Sequence, residues 1–147
     1  MEILEKIKSE FAAFEAKKNE LVNQLREEFP KILQPLFEKS KLINSIGWTQ
    51  YTPYFNDGDE CTFSVHEVNQ INGESEYDVI WTRKEIGDYH SRIPNPDFNQ
   101  EEYEIYESFC DILSEIPDET YRDLFGDHAE ITIHRDGRIE VEECKHD

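Results

Sequence analysis

Near the start of the chain the apolar positions step alternately by three and four: Leu4, Ile7, Phe11, Phe14, Leu21 and Leu25, with Lys18 standing where one more apolar residue would complete the series. That spacing collects all seven side chains on one face of an α-helix as a heptad-like seam, and it predicts a helix over residues 3–29. Packing of this seam on the chain's own body is the expected outcome, and a homodimer through residues 3–29 is the alternative. Pro30 is suited to the first turn of a helix, so a second, short helix carrying Ile32, Leu33, Leu36 and Phe37 is predicted to follow.

From Ile43 the pattern changes to strands. Trp48, Tyr51, Tyr54, Phe55 and Phe63 flank an Asn56-Asp57-Gly58-Asp59 turn sequence, which reads as two strands joined into a hairpin that seeds a sheet. Residues 62–70 continue as a strand, Asn72-Gly73 offers a second turn, and 77–82 are expected to pair back as the third strand of a meander. Residues 84–98, with Pro94 and Pro96, read as an irregular connection.

Asn99 with Glu102 three positions on forms a capping pair that begins the next helix. At about 100° per residue, Tyr103, Ile105, Tyr106, Phe109, Cys110, Ile112, Leu113 and Ile116 cover one half of this cylinder. Glu101, Glu104, Glu107, Asp111 and Glu115 form an acidic stripe opposite. Pro117-Asp118 starts a short helix that Gly126 can close. The final segment is a hairpin. A three-residue loop, Arg135-Asp136-Gly137, sets Ile133 against Ile139, Ile131 against Val141, and Glu130 outward against Glu142. The predicted class is α+β: a mainly antiparallel sheet, made of the meander and the C-terminal hairpin, with the long N-terminal helix and the central amphipathic helix packed on it. Residues 1–43 form the N-terminal helical segment and 44–147 the body of one domain.

Charge changes this picture more than composition does. The net charge is −19, and residues 1–43 contribute nothing to it, with eight acids against eight bases. Residues 44–147 therefore hold 34 − 8 = 26 acids against 15 − 8 = 7 bases. Such a body repels nucleic acid and anionic membrane and attracts basic protein surfaces. No apolar run approaches the roughly 18 residues a membrane span needs, and three cysteines without paired spacing argue against a disulfide framework. A soluble cytoplasmic protein is the expectation.

The residues that could carry chemistry do not assemble into a known constellation. Asp57 and Asp59 straddle Gly58, and Asp127, His128, His134, Cys144, His146 and Asp147 could add ligands, yet no zinc or calcium spacing is present. Cys61 and His66 stand at odd spacing on one predicted strand and so point to opposite faces. Cys110 falls on the apolar face of its helix. No Gly-rich phosphate loop occurs. No cofactor and no metal are expected.

The segment Gly47-Trp-Thr-Gln-Tyr-Thr-Pro-Tyr-Phe-Asn-Asp-Gly-Asp59, together with Leu124-Phe-Gly-Asp-His128 and His134-Arg-Asp-Gly137, resembles small acidic proteins of phages and bacteria that form a functionally unassigned group. The resemblance spans roughly residues 44–147 and implies a phage-encoded or accessory protein. It supplies no catalytic residues.

The expectation is a non-enzymatic, acidic protein-binding module of inhibitor type. It would present Glu101, Glu104, Glu107, Asp111 and Glu115, with Tyr51, Tyr54, Asp57 and Asp59, to a basic, nucleic-acid-binding partner rather than to nucleic acid itself. The alternatives are a small metal-dependent hydrolase using Asp57, Asp59, His66 and the C-terminal histidines, and a structural subunit assembled through the N-terminal helix.

Overall fold

A computed structural model describes residues 2–53 and 61–143. The chain begins with α1 (Glu2–Lys39), a single uninterrupted helix of 38 residues with Pro30 and Pro35 inside it. The two-helix expectation is thereby corrected. Each internal proline removes a backbone hydrogen bond at a cost of about 3 kcal/mol or more. Burial of Phe29, Leu33, Leu36 and Phe37 in the core returns about 1.5–3 kcal/mol per side chain, which roughly balances that cost. A clamp on the last turn tips it further. The Arg135 guanidinium donates to the carbonyls of Phe37, Ser40 and Ile43, the last two at 2.8 and 2.5 Å. A cation there also complements the negative end of the helix dipole.

Only the C-terminal half of α1 is packed. Residues 2–21 are exposed throughout, including Ile3, Leu4, Ile7, Phe11, Phe14 and Leu21. The seam was expected to lie on the chain's own body. It does so only from Val22 and Leu25 onward, where half-burial begins.

The sheet is built on β1 (Ser45–Tyr51). Along one edge it pairs antiparallel with β2 (Ser64–Val65) and β3 (Gln70–Ile71); along the other it pairs antiparallel with β7 (Ala129–His134), which pairs with β8 (Ile139–Glu143). β1 is thus the hub, but most of its hydrogen bonds go to the distant β7, from Ser45↔His134 to Gln50↔Ala129, rather than to the other arm of the proposed hairpin. The turn at 56–59 lies outside the described residues. Ile46 and Trp48 of β1, with Ala129, Ile131 and Ile133 of β7, face the helices and are buried. Gly47 points the other way. A Cβ there would sit 3.1 Å from both Gln70 Oε1 and the Ile131 carbonyl, closer than most side-chain contacts allow.

Asn72-Gly73 makes the expected turn into β4 (Glu74–Ser75), both residues having positive φ as a two-residue hairpin requires. The third meander strand does not form. Residues 76–78 and 80–82 are 3₁₀ turns instead. Their carbonyls are satisfied by side chains and loops: Asn95 Nδ2 donates to Ile80 O and Arg83 O, each at 2.8 Å, and Asn99 N donates to Trp81 O. The connection expected to be irregular holds a two-stranded ribbon, β5 (Glu85–Ile86) with β6 (Ile93–Pro94).

α2 (Gln100–Ser114) and α3 (Asp118–Phe125) complete the helical layer. Asn99 Oδ1 accepts from Glu102 N at 3.0 Å, the expected cap. The Glu102 carboxylate does not return to Asn99. It is buried, accepting from Ser40 Oγ (2.5 Å) and Lys41 N (2.7 Å), and so ties the exit of α1 to the start of α2. Gly126 closes α3 with φ +91°. The C-terminal hairpin has the predicted register, Ile133↔Ile139 and Ile131↔Val141, with Glu130 facing Glu142 and Gly137 left-handed. Gln70 Nε2 donates to Glu130 at 3.0 Å and relieves part of that like-charge pairing. The class is α+β, helices over one face of an antiparallel sheet.

Candidate functional site

Burial of Ile105, Tyr106, Phe109 and Leu113 against the core fixes the rotation of α2, and leaves Glu101, Glu104, Glu107, Asp111 and Glu115 exposed in a row. At about 1.5 Å per residue, the row from Glu101 to Glu115 is about 21 Å long. None of the five carboxylates forms an ion pair with a described residue.

A pocket of about 280 Å³ opens at the C-terminal end of this row. Its walls are Trp48 of β1, Val65 and Val68, Leu113 and Ile116, and Tyr121 of α3; around its mouth stand His66, Glu67, Asp111 and Asp118. The shape follows from a break in the strand pairing. Between Gln50↔Val65 and Gly47↔Gln70, two residues of β1 face four, His66–Asn69, on the opposing segment. His66 N donates to Thr49 O (2.9 Å) and Asn69 N to Gly47 O (3.0 Å), so the bulge is anchored at both ends. It turns Val68 into the core and leaves His66 and Glu67 exposed. The Tyr106 hydroxyl shares its proton between Val68 O, at 2.8 Å, and the Glu76 carboxylate, which holds the bulge against α2.

Buried hydrogen bonds hold the floor of the pocket in place. Gln50 is fully buried, yet every polar atom of its side chain is used: Trp48 Nε1 donates to its Oε1 (3.1 Å), and its Nε2 donates to Tyr121 O (3.0 Å) and Gly126 O (2.7 Å). The Tyr121 hydroxyl in turn donates to Leu113 O. Because a buried amide left unpaired is costly, this network joins β1 to the middle and the C-terminal end of α3 and fixes two walls of the pocket.

Cys110, the thiol that lines the pocket, is not activated as a nucleophile. Burial pushes the Cys110 thiol up to about 11 against a partly opposing hydrogen bond from Tyr106, so it stays protonated at neutral pH. Burial, aided by the Glu76 carboxylate, raises the Tyr106 hydroxyl above the ordinary tyrosine range. His66 stacks on Tyr51, ring centroids 4.7 Å apart and planes inclined by 23°. Tyr51 is half-buried at the end of β1 and stands behind the rim. Tyr54, Asp57 and Asp59 lie outside the described residues, as do Cys144, His146 and Asp147. Among the described residues no three His, Cys, Asp or Glu side chains converge as metal ligands.

Asp127 proves to be structural. Its carboxylate accepts from Thr52 N (2.8 Å), Thr52 Oγ1 (2.7 Å) and His128 N (2.8 Å). Burial alone would raise its pKa, but these hydrogen bonds and the neighbouring His128 together hold it below the ordinary carboxylate value. At the other end of the acidic row a shallow depression of about 320 Å³ lies between Leu36, Lys39, Glu101, Glu104, Ile105 and Ser108.

The stripe itself was readable from the helical period. Its junction with Glu67 and Asp118 across a pocket was missed, because 62–70 was read as an unbroken strand. A signal was present: the apolar residues Phe63, Val65, Val68 and Ile71 change phase after Val65. Such a slip marks a bulge. No helix among the described residues is long and apolar enough to cross a membrane. Comparison with protein-family models, curated proteins and solved structures finds no match.

Proposed function

We propose that the chain is a non-enzymatic, inhibitor-type binding module whose α2 face docks a basic protein surface and whose pocket receives one long cationic side chain from it. One observation carries the reading: Asp111 belongs both to the exposed acidic row and to the rim of a rigid, largely apolar pocket. A Lys or Arg entering there would lay its methylene stem along Val68, Leu113 and Ile116 and place its charge among Glu67, Asp111 and Asp118. The remaining carboxylates of the row would meet the rest of the basic surface. Interfaces anchored this way take most of their binding energy from the central side chain and most of their association rate from the surrounding charge.

The test separates those two contributions. Proteins retained from lysate on the immobilised chain would be ranked by salt sensitivity, and the leading one purified. Replacing Glu104, Glu107, Asp111 and Glu115 together by Gln should then slow association and flatten its salt dependence. Ser114→Trp, which fills the pocket mouth and leaves every carboxylate in place, should mainly speed dissociation. Association kinetics unchanged across a salt series in the first variant would reduce the row to a solvated helix face.

A further inference from the structure

The bare half of α1 is a second surface, independent of the α2 face. From Val22 onward the apolar stripe of this helix is covered by the chain's own core. N-terminal to that point the same stripe continues with its apolar side chains uncovered by the described residues: Phe11 and Phe14 are 67% and 68% exposed and Leu21 is 50% exposed. A contiguous apolar strip of this kind, about 30 Å long over residues 3–22, marks an interaction site. We infer that its occupant is a second copy of this chain, paired antiparallel through residues 3–22.

The charges beside the seam select that occupant and its direction. With Leu4, Phe11, Lys18 and Leu25 at one seam position and Ile7, Phe14 and Leu21 at the other, Lys8 and Glu15 flank one edge and Glu10 and Lys17 the other. In the antiparallel register that sets Phe11 against Phe14 of the second copy, Leu4 meets Leu21 and Ile7 meets Lys18. Glu10 then faces Lys17 of the second copy, and Lys8 faces its Glu15. Two-fold symmetry repeats each pair, so all four flanking contacts are attractive. A parallel, in-register pair would instead set Glu10 against Glu15 on both edges.

Two further observations agree with this arrangement. Lys18, the one polar seam residue, has its ammonium 3.4 Å from Asp123 of its own body, so its charge is drawn aside and only its stem remains on the seam. In the antiparallel pair the two acidic bodies lie at opposite ends of the rod, several screening lengths apart; the parallel pair would hold them side by side. The bare stretch also maps onto itself: the second copy's N-terminus reaches Leu21 and Val22, where the chain's own body begins to cover the stripe. An anionic membrane surface is a poorer occupant, because residues 2–21 carry five acids against four bases and lack the basic excess that such helices use.

Mass measurement on the full chain across a concentration series of about 1–500 µM tests the inference, because self-association follows mass action. The mass should climb from 17.5 kDa toward twice that value. Phe11→Asp with Phe14→Asp should hold it at the single-chain mass while the tryptophan fluorescence melt of the body, from Trp48 and Trp81, stays unchanged. Glu10→Lys, which sets Lys against Lys17 on both copies, should weaken association by about threefold or more, and adding Lys17→Glu should restore it. A single-chain mass at every concentration would overturn the inference and assign the strip to a foreign helix. Association that survives the double Phe variant would also overturn it. Glu10→Lys that strengthens association, as parallel pairing requires, or leaves it unaltered, would overturn the register.

Discussion

The two halves of α1 carry the same kind of residue at the same spacing and meet opposite fates. Phe14 is 68% exposed and Phe29 1% exposed, on one continuous helix and close to one continuous stripe. Around Phe29 the rings of Trp48, Tyr121 and Phe125 close in, with centroids 6.4, 6.3 and 5.7 Å away. Phe14 has no such cluster among the described residues. Amphipathic periodicity therefore states that a face is to be covered, and says nothing of what covers it. That information sits in segments nearly a hundred residues away, such as the α3 carbonyls of Asp123 and Leu124 that accept from Arg26.

The sharpest way to break this contrast is to truncate both rings. Phe29→Ala is expected to cost about 3–5 kcal/mol in denaturant unfolding followed by tryptophan fluorescence. Phe14→Ala at low protein concentration should stay within about 0.5 kcal/mol of the parent chain. Equal losses would mean that the bare half belongs to the folded core after all.

A smaller effect is expected where the packed half ends. Arg135→Ala removes the donors from three carbonyls at the exit of α1, and should cost about 2 kcal/mol. Arg135→Lys should recover little of it, since an ammonium cannot span the same fork of acceptors. Full recovery by Lys would show that charge at the helix end, not geometry, holds this junction.

The acid limb of stability should belong to the body as well. Asp127 titrates below its unfolded value near 3.9. Its contribution is therefore fully present above that value and is lost as pH falls through the depressed folded value. Asp127→Asn should lower stability at neutral pH and make the decline below about pH 4 shallower. An unaltered acid limb in a pH series of thermal melts would remove Asp127 from this role.

The smallest effect concerns the acidic row. Replacing Glu104, Glu107, Asp111 and Glu115 by Gln should raise stability by a few tenths of a kcal/mol per relieved pair, because like charges three and four apart repel along a helix. A fall in stability would mean that these carboxylates have partners in the folded chain.

Features that depend on a few neighbouring residues were legible in the sequence. Asn99 caps α2, Asn72-Gly73 turns with both residues at positive φ, Gly126 ends α3, and the Arg135–Gly137 loop sets Ile133 against Ile139. The acidic row belongs with them, since the helical period alone places it opposite Phe109 and Leu113. In each case the deciding energy is local: a hydrogen bond to a nearby amide, a left-handed residue that glycine or asparagine tolerates, a face defined by 3.6 residues per turn.

Tertiary structure decided the rest. Pro30 and Pro35 would end a helix on local terms, and α1 runs through them because core burial and the Arg135 clamp outweigh the lost bonds. Residues 77–82 have strand-like composition, yet they curl into turns because Asn95 and Asn99, not a neighbouring strand, take up their carbonyls. The pocket draws Glu67 from a bulge, Asp111 from α2 and Asp118 from α3. No local term links those three positions. Contacts between segments so far apart form only when the loops between them close and burial on both sides compensates the lost chain entropy, and that balance is struck by the whole fold at once.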